Sequence, residues 1–297
     1  MELYSPRTIE YIKARYGFSL SKSLGQNFIT DVNVLRDIVE GAEVDAEDLV
    51  IEIGPGIGSL TAEAAKAAAA VVAVEIDSRL IPILEETLAD FDNVEVINRD
   101  VLKTDLNEII ERKRSEGAFS GKVRIMGNLP YYITTPIIMK LLEAEVNADS
   151  ITVMMQKEVA DRINSGPGTK SYGAISVAVQ YYCTVSKVAT VPAAVFVPRP
   201  KVDSAVLNLK LREEKPAELI DRDLFFACVK AGFGQRRKTL LNSLTGVRGL
   251  EKKDIEHILI TTETDPRRRA ETLTIGEFAE IANCIAKYTE DRESINE

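Results

Sequence analysis

The sequence predicts an α/β fold: a doubly wound, mostly parallel, seven-stranded sheet with helices on both faces, followed by a small all-helical C-terminal domain. Three observations predict it. Apolar strand-like runs alternate with helix-like runs from Asp48 to about Gln156. A glycine turn, "GPGIG", follows the first apolar run directly. Strand signals stop after about residue 215, and the rest of the chain reads as helix. Strand and helix in alternation imply right-handed crossovers and a parallel sheet covered on both sides.

In chain order, "LVIEIG" is a buried strand ending in glycine, and "SLTAEAAKAAAA" is alanine-rich and helix-prone. "VVAVEID" is the second strand, "SRLIPILEETLADF" a helix, "VEVINRD" a strand and "LNEIIERKRSE" a helix. "VRIMGN" and "SITVMMQ" are strands on either side of the helix "PIIMKLLEAE". "AISVAVQYYCTVSKVATV" and "SAVLNLKL" add two more strands. The segment between them, "PAAVFVPRPKVD", carries prolines that forbid a helix. Four helices follow: "DLFFACVKAGF", "RRKTLLNSL", "KKDIEHILI" and "IGEFAEIANCIAKY". The expected domains are residues 1–215, with an N-terminal lid over about 1–30, then 216–290, then a frayed polar tail at 291–297.

Composition excludes several classes. The 297 residues are 45% hydrophobic and 28% charged, ordinary for a globular protein. No run approaches the ~20 apolar residues of a membrane span. The first residues, "MELYSPRTIEYIKARYGF", are not a secretory signal. Cys183, Cys228 and Cys284 are far apart and lack metal-ligand spacing, so they read as reduced cytosolic thiols, and a cytoplasmic location is expected. The single histidine, His257, has no partner for metal or catalytic work, and no metal site is expected. The net charge is −9, but base is concentrated locally, with Lys230, Arg236, Arg237 and Lys238 in "VKAGFGQRRKTLLNSL" and further arginines in "DPRRRAETL". Phosphate binding depends on where charge sits, not on its sum.

The turn "IGPGIGSLT" holds Gly54, Gly56 and Gly58 between strand and helix. Glycine there lets a ligand approach the backbone with no Cβ in the way. In a doubly wound sheet this is where nucleotides bind. Glu75 ends the second strand, where a carboxylate can take both hydroxyls of a ribose. Asp100 follows the third strand and could accept from an adenine amino group, and Asn128 ends the fourth. Three polar acceptors on successive strand ends, beside a glycine loop, outline a cleft for an adenosine-containing cofactor. NAD and S-adenosylmethionine both fit a ribose-binding acid. The glycine spacing suits a pyrophosphate poorly and no hydride-transfer residue is visible, which favours S-adenosylmethionine.

"GNLPYY" raises the question of what an amide, a proline and two tyrosines do at a strand end. As bare structure it is a proline turn with buried aromatics. Beside the glycine loop it reads as chemistry. The exocyclic amine of adenine is a poor nucleophile because its lone pair is delocalised into the ring. The Asn128 side-chain oxygen and the Leu129 carbonyl could accept its two N–H groups and free that lone pair. Pro130 fixes φ and so helps to hold the carbonyl. Tyr131 offers a stacking face worth ~1–3 kcal/mol per base, and Phe196 could cover the other face. A paired base must be flipped out to reach such a pocket.

In order and spacing, "SLGQNF", "EIGPGIGSLT", "VEID", "RD", "GNLPYYITTPI", "VFVPRPKVDSAV" and "FGQRRKTLLNSL" resemble the bacterial small-subunit rRNA adenine dimethyltransferases. The resemblance runs from about Ser19 to about Phe278. It implies a Rossmann-like S-adenosylmethionine-dependent methyltransferase that dimethylates two adjacent adenines in a hairpin near the 3′ end of 16S rRNA, within a 30S assembly intermediate. It implies that Asn27, Ile29 and, in the same lid, Gln26 line the cofactor site. It also implies Gly54, in the same loop as Gly56, against the methionine part, Glu75 on the ribose, Asp100 at the adenine and Asn128 by the transferred methyl. "FGQRRKTLLNSL" would be a basic RNA-contacting helix. No interface signal is visible, and a monomer is expected. Two other readings compete: an assembly or transcription factor that binds nucleic acid without catalysis, and a NAD-dependent oxidoreductase.

Overall fold

The computed structural model describes residues 2–17 and 26–296, with side chains as far as Arg292. Part of the expected lid, including Ser19 and Ser23, Leu24 and Gly25 of "SLGQNF", lies outside the described residues. The elements, in chain order, are α1 (Pro6–Tyr16), β1 (Phe28–Ile29), α2 (Val32–Gly41), β2 (Leu49–Ile53), α3 (Ser59–Ala65), β3 (Ala70–Glu75), α4 (Ile81–Thr87), β4 (Val94–Asn98), α5 (Leu106–Ser115), β5 (Val123–Asn128), α6 (Thr134–Glu143), β6 (Ser150–Gln156) and α7 (Lys157–Ile163). They continue with α8 (Ala174–Tyr182), β7 (Cys183–Val191), β8 (Phe196–Val197), β9 (Ser204–Leu211), α9 (Arg222–Gly234), α10 (Leu240–Leu244), α11 (Lys252–Thr261) and α12 (Ile275–Asn296). Among the described residues no helix is long and apolar enough to cross a membrane.

The chain divides into two compact units, Met1–Ala160 with Thr184–Leu211, and Asp161–Cys183 with Arg212–Glu297. The first unit carries a seven-stranded sheet in the order β4-β3-β2-β5-β6-β9-β7. β2 pairs in parallel with β3 and β5, β3 with β4, and β5 with β6, while β9 runs antiparallel to β6. Every residue of β2 and β3 is buried, as a central parallel strand covered on both faces requires. The edge strand β4 is half-exposed and carries charge: Arg112 and Lys113 of α5 each reach Glu95 at 2.7 Å.

The alanine-rich run stops being helix at Ala65, earlier than its propensity suggests. Asn93 caps the end by donating to the carbonyls of Ala65 and Ala68 at 2.9 and 3.0 Å. The amides of Ala69 and Ala70 then turn to the Asp48 carbonyl, which feeds the chain into β3. Tertiary hydrogen bonds override propensity here.

Below β2 and β5 lies a buried ion pair. Arg124 donates through Nε to Asp48 at 3.1 Å, with both side chains no more than 4% exposed. Asp48 also accepts from the amides of Lys122 and Asp45, and Arg124 also donates to Ser150 Oγ. Removing Asp48 leaves the buried Arg124 charge with only Ser150 and the exposed Glu43 carboxylate, 4.0 Å away, beside it. Asp48→Ala is therefore expected to cost about 3–5 kcal/mol of unfolding free energy in a urea titration, whereas loss of an exposed pair would cost about 1 kcal/mol or less.

The second unit corrects one strand. "AISVAVQYY" forms helix α8, and only from Cys183 does the chain extend as β7. Ser176, Val177, Ala178, Val179, Tyr181 and Tyr182 are all buried, so α8 is apolar on nearly every side and shows no amphipathic period. Its start is marked by Ser176 Oγ accepting the Gly173 amide at 3.0 Å. Tyr181 and Tyr182 pack on Phe225 and Phe226 of α9, with ring centroids 5.3 and 5.9 Å apart. That packing is why Asp161–Cys183 groups with the C-terminal helices and not with the sheet that precedes it in sequence. The second crossing of the chain falls at Leu211/Arg212.

The polar tail differs from a frayed end, since α12 continues to Asn296. Tyr288 and Arg292 both hold Asp254 of α11, at 2.9 and 3.2 Å. The segment expected as a basic helix also differs. Residues 235–238 are a turn, closed by the Lys238 amide on the Gln235 carbonyl at 2.8 Å, and α10 begins only at Leu240. The α10 backbone docks on the carbonyls of Arg268 and Pro266, which fixes its start.

Candidate active site

The carboxyl ends of β2, β3, β4 and β5 open into one cleft. Gln26, Asn27, Ile29, Gly54, Gly56, Glu75, Asp100, Asn128, Leu129, Pro130 and Tyr131 all line it. The structure thus brings together every sequence-predicted cofactor residue and all but one of the predicted catalytic group.

The exception is Phe196. Its side chain is 3% exposed, sits in the core with Ile29, Leu35 and Val191, and does not line the cleft. Phe196 is the register partner of Ile29 in the β1–β8 ladder, so the two side chains share a face and pack in one core cluster. A ring buried this way offers no stacking face, so the expectation that it covers a base does not hold in this structure.

Gly54 has φ +72°, and a Cβ built there meets nothing within 4 Å, so the space above this turn is open to a ligand. Gly127 is needed for the opposite reason. A Cβ there would fall 2.6 Å from the Ile53 carbonyl, so the glycine of "GNLPYY" lets β5 approach the end of β2.

Glu75 is 4% exposed. It accepts the Asp77 amide at 2.7 Å through one oxygen and the Gly56 amide at 3.3 Å through the other. Burial raises its carboxyl above the usual range, and these amide donors work against that rise. The same carboxylate therefore shapes the glycine loop and keeps lone pairs for a ligand. Asp77 is held below its ordinary value, first by Arg79 and then, against burial, by Gln26. The Gln26 amide reaches Asp77 at 3.0 Å and ties residues 26–30 to the end of β3. Asp100 caps a short turn through the Leu102 amide at 3.0 Å with one oxygen. Its other oxygen lies 3.9 Å from Lys103.

The β5 turn is polarised. Asn128 donates through Nδ2 to the Asn27 carbonyl at 2.8 Å, which commits its only donor group and leaves Oδ1 as an acceptor. The Pro130 carbonyl is already taken by the Ile133 amide at 3.1 Å and the Thr134 hydroxyl at 2.9 Å. Among the described residues no donor engages the Leu129 carbonyl. Two acceptors, Asn128 Oδ1 and Leu129 O, remain at one strand end. Tyr131 is half-buried and bonded to Ser204 Oγ at 2.8 Å, which fixes its ring, and burial raises its phenol above the ordinary value.

Among the cleft residues not singled out from sequence is a buried acid. Glu52 is 1% exposed, and its Oε2 has no hydrogen-bond partner. The signal was a lone acid within the apolar run "LVIEI". Burial pushes its carboxyl up to about 8, with the nearby Thr61 hydroxyl working against the rise and Glu75 adding to it. An orphaned buried acid in a cleft with two acidic strand ends fits a ligand that is both cationic and ribose-bearing. Without such a ligand Glu52 holds its proton at neutral pH. A raised folded value means stability that is full below the usual carboxylate range and lost as pH rises toward about 8. The melting temperature of the ligand-free protein is thus expected to fall, relative to Glu52→Gln, between pH 5 and pH 9. Parallel curves would show that Glu52 ionises normally.

The basic residues lie in the second unit. Lys230 is exposed on α9, and Arg236, Arg237 and Lys238 are exposed on the turn before α10. Arg236 is partly engaged, donating to the Lys170 carbonyl at 2.5 Å and lying 3.9 Å from Glu271. His257 is exposed on α11, its ring 5.9 Å from that of Tyr288.

Comparison with known proteins agrees with this geometry. A family model described as ribosomal RNA adenine dimethylase matches residues 17–287. The chain is 53% identical over 285 residues to the ribosomal RNA small subunit methyltransferase A of Alkaliphilus oremlandii (strain OhILAs), covering 95% of this chain and 98% of that one. It is 50% identical over 283 residues to the protein of the same name from Clostridioides difficile (strain 630), covering 95% and 96%. Among solved structures, a dimethyladenosine transferase from Plasmodium falciparum superposes with a TM-score of 0.73 at 25% identity, over 88% of this chain and 97% of that one. The 23S rRNA methyltransferase ErmE superposes with a TM-score of 0.65 at 26% identity, over 87% and 99%. These relatives favour S-adenosylmethionine over a nicotinamide as the cofactor. The chain belongs to the ribosomal RNA adenine dimethylase family and is an S-adenosylmethionine-dependent methyltransferase.

Proposed function

We propose that this protein dimethylates the exocyclic amines of two adjacent adenines in a hairpin near the 3′ end of 16S rRNA, on a 30S assembly intermediate, acting as a monomer in the cytoplasm. The small-subunit names of the relatives in Alkaliphilus and Clostridioides support the choice of rRNA. The observation that carries the chemistry is the pair of acceptors at the end of β5, Asn128 Oδ1 and Leu129 O, left open while Asn128 Nδ2, the Pro130 carbonyl and the Tyr131 hydroxyl are engaged.

The cofactor, when bound, supplies an electrophilic methyl on a sulfonium. Glu75 takes the ribose hydroxyls, Asp100 the adenine amine, and the open space at Gly54 the amino-acid end. Gln26, Asn27 and Ile29 close the other side. Asn128 and Leu129 accept the two N–H groups of the target amine, pull its nitrogen toward tetrahedral geometry and free its lone pair for the new N–C bond, which would form as the methyl's bond to the sulfonium sulfur breaks and leaves a neutral thioether. The alkylated nitrogen sheds its proton to water without a general base. Tyr131, fixed by Ser204, supports one face of the flipped base. Lys230, Arg236, Arg237 and Lys238 take phosphates of the RNA.

The test is primer extension on 16S rRNA from 30S particles that lack the modification. Incubation with protein and S-adenosylmethionine is expected to create stops at two adjacent adenines. Stops elsewhere, or none, would contradict the assignment.

A further inference from the structure

The loop between β8 and β9, residues 198–203, runs directly into Ser204, which bonds a residue of the cleft lining. Tyr131 bonds Ser204, the first residue of β9, at 2.8 Å, and Ser204 pairs with Gln156 at the end of β6. The loop is firmly based. The Asp203 carbonyl accepts the Lys157 amide at 3.0 Å, and Asp203 Oδ1 accepts the Ala193 amide at 2.9 Å. Pro198 and Pro200 limit its freedom further. On this base stand Arg199 and Lys201, both exposed. Among the described residues neither has an ion pair or side-chain hydrogen bond, although Arg112, Lys113, Arg124 and Arg268 of this acidic chain are all paired with carboxylates. The loop's only acid is Asp203, already engaged by Ala193. Beside Tyr131 stands Tyr132, which lines the cleft and is 59% exposed, one of the most exposed large hydrophobic side chains among the described residues.

An open aromatic face beside two free cations on a rigid loop is the chemistry that holds a single nucleic-acid strand: bases stack on rings, and phosphates meet cations. We propose that Tyr132, Arg199 and Lys201 form a docking surface for the unpaired RNA strand flanking the target adenine. Tyr132 takes the face of a neighbouring base, and Arg199 and Lys201 take its phosphates. The surface lies on the sheet-bearing unit. It rests on the reading that the cleft methylates an RNA adenine.

The test uses the full chain, an undermethylated 30S particle and the naked hairpin RNA, with filter binding across a salt series and calorimetry for S-adenosylmethionine. Arg199→Gln with Lys201→Gln is expected to weaken binding to both RNAs, to flatten the salt dependence by about 0.7 per lost phosphate contact, and to leave cofactor affinity unchanged. Tyr132→Ala is expected to weaken RNA binding by roughly 5- to 150-fold, and Tyr132→Phe to retain it. Wild-type affinity and salt slope in these variants, from a protein whose wild type methylates the RNA, would overturn this surface alone. Weakening confined to the intact particle would reassign it to a protein contact and also overturn it. A wild-type protein that methylates neither RNA would defeat the functional reading, and this surface with it.

Discussion

Replacing Asn128 with alanine is expected to lower kcat for methyl transfer by about 10²–10³-fold, the usual loss when one preorganised group aimed at a transition state is removed. Asn128 has two jobs, and they separate kinetically. Its Oδ1 is one of the two acceptors for the target amine. Its Nδ2 holds the Asn27 carbonyl at 2.8 Å and so steadies residues 26–30 over the cofactor cleft. A single hydrogen bond of that kind contributes about 0.5–1.5 kcal/mol, so cofactor affinity should fall by no more than about tenfold. Asn128 is only half-buried, and truncation leaves no core cavity, so the melting temperature should hardly move. Asn128→Asp refines the test. It keeps an oxygen but sets a carboxylate against the Asn27 carbonyl, so it should lose cofactor affinity as well as rate. Steady-state kinetics with both variants decides the matter. Unchanged kcat in Asn128→Ala would refute the assigned role.

The second large effect is on cofactor binding. Glu75→Ala is expected to weaken S-adenosylmethionine by about 10²–10⁴-fold in calorimetry. Two hydrogen bonds from ribose hydroxyls to a carboxylate are worth about 1.5–3 kcal/mol each. The variant also strands the amides of Asp77 and Gly56, which Glu75 now satisfies at 2.7 and 3.3 Å, so the glycine loop loses its anchor. Glu75→Gln should recover little, because its amide nitrogen would face one of those N–H donors. Acid has a matching effect. Burial raises the Glu75 carboxyl, so cofactor affinity should begin to fall on acidification at a pH above the ordinary glutamate range. A loss that begins only within that range would mean the ribose does not sense this group.

Much of the catalytic fold was legible because its strands are short, apolar and punctuated by turns. "LVIEI" and "VRIMGN" became β2 and β5, and the acids at their neighbours' ends fell on one sheet edge, as parallel register demands. What failed to show in sequence has physical causes. α8 is buried all round, so its residues carry no helical period and its β-branched and aromatic content resembles a strand. Its tyrosines make tertiary contacts with Phe225 and Phe226 across more than forty residues, which no local pattern reveals. Phe196 read as a stacking ring from its place in "VFVPRP", but the short β1–β8 ladder turns it into the core. Glu52 hid within an apolar run, and its unsatisfied oxygen is a property of packing alone. The basic turn read as helix because arginine, lysine and leucine favour one, and long-range backbone bonds to Arg268 and Pro266 set the real start of α10.

The most direct measurement is a crystal structure with S-adenosylhomocysteine and an RNA hairpin whose target adenine occupies the cleft. Asn128 Oδ1 and the Leu129 carbonyl should each lie about 2.7–3.2 Å from the adenine's exocyclic nitrogen, with that nitrogen facing the cofactor sulfur. An adenine bound there with either oxygen turned away, or with its amine contacted by neither, would contradict the account.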